Sequence, residues 1–71
     1  SKKNVELVLA KIYDIDDEDI QKEYMSAFNE VVYLYDELKQ DYEQHGFNDN
    51  SEGLLSSYKN AFNNFESEFE I

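Results

Sequence analysis

The sequence contains no cysteine, no proline and no arginine, and it has only one histidine. Without cysteine the chain can form neither a disulfide nor a thiolate metal site, which is typical of proteins in a reducing compartment. No apolar run approaches the roughly 18 residues that a membrane-spanning helix requires. We therefore expect a protein of the cytoplasm that makes no membrane contact.

The residues that usually perform catalysis are also scarce. His45 is the single histidine, and it falls at a predicted helix C-terminus, where a cation interacts favourably with the helix dipole. A capping role is therefore favoured over a catalytic one. General acid and base pairs need contrasting environments in a cleft, which a chain this short rarely encloses. We expect a protein that is not an enzyme and that binds no cofactor.

Negative charge is present in excess. The chain has 17 Asp and Glu against 6 Lys and Arg, a formal net charge of −11. Such a surface repels nucleic acid and anionic lipid and attracts basic proteins or cations; acidity that serves only solubility is the alternative. With 41% hydrophobic residues, the 71 residues are apolar enough to fold, and we expect one domain over residues 1–71.

The longest regular pattern predicts an amphipathic helix over residues 17–45. Its apolar residues recur three and four positions apart, which places them on one side of a helix. Asp16 and Asp17 are the candidate N-caps, and Gly46 follows the last turn, where glycine can take the left-handed conformation.

Two further helices are predicted. The first starts at the cap Asn4 and ends near Tyr13, and the third covers residues 51–69, with Asp49 or Ser51 as its cap. We predict an all-α fold in which the short first helix packs on an antiparallel hairpin of two longer helices. The predicted core consists of Val8, Ile12, Ile20, Tyr24, Phe28, Val31, Leu38, Leu55, Tyr58, Phe62 and Phe65.

The middle of the long helix carries five consecutive apolar residues, 31–35. Five in a row cover more than one face of a helix, so some should lie outside a single core. A domain of this size has a marginal core and can bury the excess in a symmetric dimer. We predict a homodimer that uses Val32, Tyr33 or Tyr35, with Tyr33 as an interface anchor among glutamates.

Two groups of acids are candidates for partner binding. Five carboxylates lie within residues 14–19, more than a helix N-terminus accounts for. Asp16, Glu23, Glu30 and Glu37 then recur every seven residues, about 10.5 Å apart on the solvent side of the long helix. The predicted partner-binding residues are Asp14, Asp16, Asp17, Glu18, Asp19, Glu23, Glu30, Glu37 and Asp41.

Some carboxylates are also four residues apart, and on a helix such side chains lie about 6 Å from each other. This distance is comparable to the roughly 6 to 7 Å between successive phosphates of a DNA strand. Such pairs are Asp19 with Glu23, Glu37 with Asp41, and Glu66 with Glu70.

A calcium site would be another use of these acids. The loops that start at Asp14 and Asn48 have oxygen donors early, but Met25 and Lys59 occupy the position where an EF-hand needs glutamate. We predict no dedicated metal site, and weak divalent binding at residues 14–19 is a third, minor hypothesis.

In size, charge and helical content, with the acidic run 14–19 and the row Glu23, Glu30 and Glu37, the chain resembles small acidic phage-encoded proteins that mimic DNA. It is similar in character to the host-takeover type that targets the histone-like nucleoid protein HU. The resemblance implies a dimeric, non-enzymatic inhibitor in the cytoplasm of a bacterial host. Its partner would be a basic, HU-like protein, and it would not bind nucleic acid itself.

Two main functional hypotheses follow. In the first, the protein is an acidic binder that competes with nucleic acid for a basic partner. In the second, it is a small interaction module, such as an antitoxin, an immunity protein or an assembly subunit, whose acids make a specific contact without imitating phosphate.

Overall fold

The computed structural model describes residues 4–69, which form three α-helices. Helix α1 is Val5–Tyr13, α2 is Glu18–His45 and α3 is Asp49–Phe69. Helices α2 and α3 form the larger contact, and α1 packs against α2. Within these residues there is no strand, so the predicted all-α fold is confirmed. None of these helices is both long and apolar enough to cross a membrane.

The predicted ends of the first two helices are confirmed. The Asn4 side chain accepts a hydrogen bond from the backbone N–H of Leu7 at 3.2 Å and caps α1. Asp17 caps α2, because its Oδ1 accepts the N–H groups of Asp19 and Ile20 at 2.9 and 3.1 Å. Both side chains satisfy amides that the first helical turn leaves without a partner.

Gly46 ends α2 with a positive φ of 67°, as predicted, but its ψ is −175°. These angles lie outside the left-handed helical region and in a region that only glycine occupies readily. The backbone therefore leaves the helix in an extended direction, while the Gly46 N–H still donates to the Tyr42 carbonyl at 2.8 Å.

The predicted cap of α3 is wrong: Asn48 takes this role rather than Asp49 or Ser51. Its Oδ1 accepts the N–H groups of Asn50 and Ser51 at 2.8 and 3.2 Å, and the Asn48 N–H donates to Ser51 Oγ at 3.2 Å. This reciprocal pair is a capping box in which serine replaces glutamate. Helix α3 therefore starts at Asp49, two residues before the predicted start.

A core of eight hydrophobic side chains joins the three helices. The buried side chains are Val5, Val8, Ile12, Phe28, Val31, Tyr58, Phe62 and Phe65. Seven of these were in the predicted core, and Val5 was not. The centre of the core is aromatic: the ring centroid of Phe28 lies 5.7 Å from that of Phe62 and 4.7 Å from that of Phe65. Edge and tilted contacts of this kind stabilise aromatic cores beyond the area that they bury. Tyr24, Leu38 and Leu55 are half-buried at its margin.

The prediction that Ile20 lies in the core is wrong, because the side chain is 44% exposed. The cause is the register of the hairpin. Near the end of α3, the Phe69 ring packs on Tyr24, with centroids 4.7 Å apart. Ile20 lies one turn earlier on α2 than Tyr24, whereas the described part of α3 reaches only to Phe69.

The two ends of the hairpin differ because α1 is short. Nine residues of α1 span about 13.5 Å, whereas the 28 residues of α2 span about 42 Å. The Gln21 side chain fixes the end of α1 by donating to the carbonyls of Ile12 and Tyr13, both at 3.2 Å. Within residues 4–69, three helices therefore pack together near the start of α2, and only two near its end.

Candidate functional site

The acidic loop between α1 and α2 uses some of its carboxylates to support the fold. Asp17 is the α2 cap, and Glu18 and Asp19 occupy the first turn of α2, where the helix dipole favours negative charge. Asp14 closes α1 through its backbone N–H and exposes its side chain, and Asp16 is also exposed. Local stability therefore leaves the carboxylates of Asp14 and Asp16 unexplained.

The loop carboxylates do not converge on a common point. Within residues 4–69, no three histidine or acidic side chains are grouped so that they could hold a metal ion. The geometry is that of separate charges facing solvent.

Three residues of the predicted acidic row, Glu23, Glu30 and Glu37, lie on the exposed side of α2. The prediction that Asp16 belongs to this row is wrong, because α2 begins at Glu18 and Asp16 lies in the loop before it. Asp19, Glu23, Glu30 and Glu37 are all exposed, and we call these four residues the acidic face. At about 100° per residue, Glu30 lies roughly 160° around the helix from Phe28, which is fully buried. The four side chains extend over 18 residues of rise, about 27 Å. The acidic face therefore lies on the side of α2 away from Phe28.

An exposed aromatic residue adjoins this row. Tyr33 is 61% exposed. It lies three residues after Glu30 and four before Glu37, positions that are neighbours on a helix surface. Tyrosine is enriched among the residues that dominate the binding energy of protein interfaces, and this ring is exposed beside the acidic face.

Asp41 has an internal role. Its Oδ2 accepts hydrogen bonds from Ser51 Oγ at 2.8 Å and Asn48 Nδ2 at 3.2 Å, and its Oδ1 accepts one from Asn50 Nδ2 at 3.2 Å. The bond from Ser51, assisted by those from Asn50 and Asn48, lowers the pKa of Asp41 although desolvation opposes the shift. Because these bonds join α2 to the start of α3, Asp41 stabilises the turn and is less available to a partner.

The three residues predicted for a dimer interface point in different directions. Val32 is half-buried against the core, and Tyr35, 36% exposed, packs its ring 5.8 Å from that of Tyr58. Tyr33 lies about 100° around α2 from Val32 and about 160° from Tyr35. One flat interface cannot contain all three side chains, so a dimer would use only part of the set.

A second surface lies where α2 and α3 meet. It is a groove of about 470 Å³, which we call the turn-end groove. Tyr42 and Phe47 are 57% and 59% exposed there, although both are large and apolar. In the sequence, the groove is indicated by Phe47, an aromatic residue in the turn directly after Gly46, but Phe47 was not among the predicted binding residues. The groove is lined by Tyr35, Leu38, Lys39, Tyr42, Glu43, Phe47 and Leu55.

Other predicted residues have simpler positions. His45 is the last residue of α2, and its side chain is exposed. In the acidic end of α3, Glu66 is half-buried and Glu68 is exposed, whereas Glu70 lies outside the described residues.

Comparison with known proteins gives no relative for this chain. No family model matches it, and neither the curated proteins nor the solved structures contain a match. Function must therefore be inferred from its own surfaces, of which the acidic face is the more strongly charged.

Proposed function

We propose that this protein binds a basic partner protein through the acidic face and competes with nucleic acid for the same surface of that partner. The observation that carries the proposal is the exposure of Asp19, Glu23, Glu30 and Glu37 along one side of a helix whose other side holds the core. The resemblance to phage-encoded DNA mimics suggests an HU-like partner and inhibition of its DNA binding.

The rigidity of α2 supports this proposal. The helix is capped at its start by Asp17 and held on two sides by α1 and α3, so the carboxylates keep their spacing without a partner. A pre-ordered row of charge loses little conformational entropy on binding. The net charge of −11 adds long-range attraction for a basic protein and speeds its association.

The spacing of Glu23, Glu30 and Glu37 matches DNA in period, but the acidic face does not match DNA in charge density. Seven residues of helix rise about 10.5 Å, and three phosphate steps along one DNA strand rise about 10.2 Å. The four carboxylates cover about 27 Å, in which one strand would carry about eight phosphates. The acidic face therefore offers about half the charge of a single strand, and Tyr33 would supply part of the remaining affinity by apolar contact.

The test is charge reversal with a matched control. The variant Glu23→Lys/Glu30→Lys/Glu37→Lys removes the row. The control Glu6→Lys/Asp36→Lys/Glu68→Lys makes the same change in net charge at exposed positions outside the acidic face and the turn-end groove. Proteins captured from a bacterial lysate by each variant are identified by mass spectrometry, and helix content is checked by circular dichroism.

We expect the parent and the control to capture the same basic DNA-binding proteins and the row variant to lose them. Each single neutralisation in the row should cost about 1 kcal/mol or less, as for exposed ion pairs. A folded row variant that still captures its partner and still excludes DNA from it would refute the proposal.

The second candidate is an interaction module without mimicry, such as an antitoxin, an immunity protein or an assembly subunit. The turn-end groove favours it, because an exposed apolar groove is a common site for a protein partner and has no counterpart on DNA. A partner that binds this chain and DNA at the same time would support this candidate over the first.

A further inference from the structure

The surface of α2 that holds α1 continues beyond α1. The covered part is a stripe in which residues are alternately four and three positions apart, and it consists of Gln21, Met25, Phe28 and Val32. The same alternating spacing continues after Val32 with Tyr35, Lys39 and Tyr42, and these three residues line the turn-end groove. The sequence therefore extends a helix-packing face by about two turns past the helix that occupies it.

The chain's own first helix stops short of this extension. Asn4 caps α1, so the helix begins at Val5 and does not run on over Tyr35 and Tyr42. Burial changes accordingly along the hairpin. Phe28, in the part of the hairpin where three helices meet, is fully buried, whereas Tyr42 is 57% exposed.

We propose that the turn-end groove is the docking site for an amphipathic helix of a partner protein. The docked helix would lie end to end with α1, on the same face of α2, and would complete the three-helix packing at the two-helix end of the hairpin. From Tyr35 to Tyr42 the groove is about 10.5 Å long, enough for apolar residues at positions i, i+3 or i+4, and i+7 of the partner helix.

Charge selects a foreign, cationic helix over a second copy of this chain. Near the groove, the negative charges of Glu43 and Glu52 are balanced by the positive charges of Lys39 and Lys59. An apolar helix face therefore meets no local excess of positive or negative charge. At longer range the net charge of −11 repels another copy and attracts a helix flanked by lysine or arginine. The occupant is therefore apolar on one side and basic on the others.

This inference does not depend on the proposed function. Lys39, on the wall of the groove, lies about 180° around α2 from Glu30 in the acidic face. A partner could therefore occupy either surface without touching the other, and variants of each surface separate the two proposals.

The probe is a synthetic helix about 14 residues long, with leucines on one side and lysines and alanines elsewhere. Its control has the same composition, with the leucines distributed around the helix. Binding is measured by fluorescence anisotropy and located by the amide chemical shifts of the ¹⁵N-labelled protein. The groove variant is Tyr42→Ala/Phe47→Ala, and the matched variant is Tyr33→Ala, which removes a similarly exposed ring from the opposite side of α2.

We expect the amphipathic peptide to shift the amides of Lys39, Tyr42, Phe47 and Leu55. The groove variant should bind it at least about tenfold more weakly, as when aromatic anchors are removed, while Tyr33→Ala should bind as the parent does. Because the truncated rings are exposed, both variants should keep the parent's helix content.

Three results would overturn the proposal. The first is no binding, or equal binding of the scrambled peptide, which would mean that no apolar face is recognised. The second is binding that depends on the acidic face instead and is lost in the triple charge reversal but kept in the groove variant. The third is a parent that sediments as a dimer while the groove variant is monomeric, because a second copy would then fill the groove.

Discussion

Substitution of Gly46 by alanine should destabilise the protein through its backbone alone. The residue has φ 67° and ψ −175°, a combination that costs a residue with a side chain about 1 to 3 kcal/mol. A Cβ atom at this position would meet no atom within 4 Å, so no steric clash adds to the conformational strain. Total stability for a chain of this length is about 4 to 10 kcal/mol, so the loss is a large fraction of it.

Gly53→Ala is the matched control and should have the opposite sign. Gly53 is the fifth residue of α3 because this helix starts at Asp49, and a Cβ atom there would also meet nothing within 4 Å. Alanine is favoured over glycine inside a helix by about 0.8 to 1.0 kcal/mol. Urea unfolding followed by circular dichroism gives both changes in free energy. Equal midpoints for Gly46→Ala and the parent would refute the assigned turn conformation.

Three further predictions concern the core, the turn and the effect of salt. Phe28→Ala or Phe62→Ala should cost about 3 to 5 kcal/mol, because both rings are almost fully buried, and a variant that melts like the parent in a thermal scan would show that the core is misassigned. Asp41→Asn should be less stable than the parent at pH 7. Because the pKa of Asp41 is lowered in the folded state, its contribution to stability is complete above the ordinary value of 3.8 and is lost as the pH falls through the lowered value. The urea midpoints of the two proteins should therefore converge in acid. Affinity for the basic partner should fall as the salt concentration rises. The decrease with salt should be smaller than for DNA and the same partner, because a folded protein lacks the condensed counterions of a duplex. An affinity that does not change with salt would exclude charge as the driving force.

Local patterns were sufficient to predict the three helices. The caps Asn4 and Asp17 and the terminator Gly46 act within a few residues of themselves, and the structure has them where the sequence indicates. The start of α3 was missed because residues 48–51 are all able to cap a helix. Asn48 takes the position since its side-chain amide also bonds Asp41 and the Gly46 carbonyl, contacts that cross the turn.

Features that depend on how the helices meet were not predictable from periodicity. Ile20 has the spacing of a core residue, but its burial depends on where α3 ends relative to α2. Asp41 has the spacing of a surface acid, but Ser51 lies beside it only after the hairpin has formed. The periodicity of the five apolar residues 31–35 did not show which of them are covered, whereas in the structure Val31, Val32 and Leu34 are covered because α2 packs against a helix on two sides.

A DNA competition experiment tests the central claim most directly. The partner is first bound to the immobilised protein, and duplex DNA is then added at constant ionic strength. If the acidic face occupies the nucleic-acid-binding surface of the partner, DNA should release the partner in proportion to its concentration, and no particle should contain all three components. A stable complex of this protein, its partner and DNA would contradict the claim.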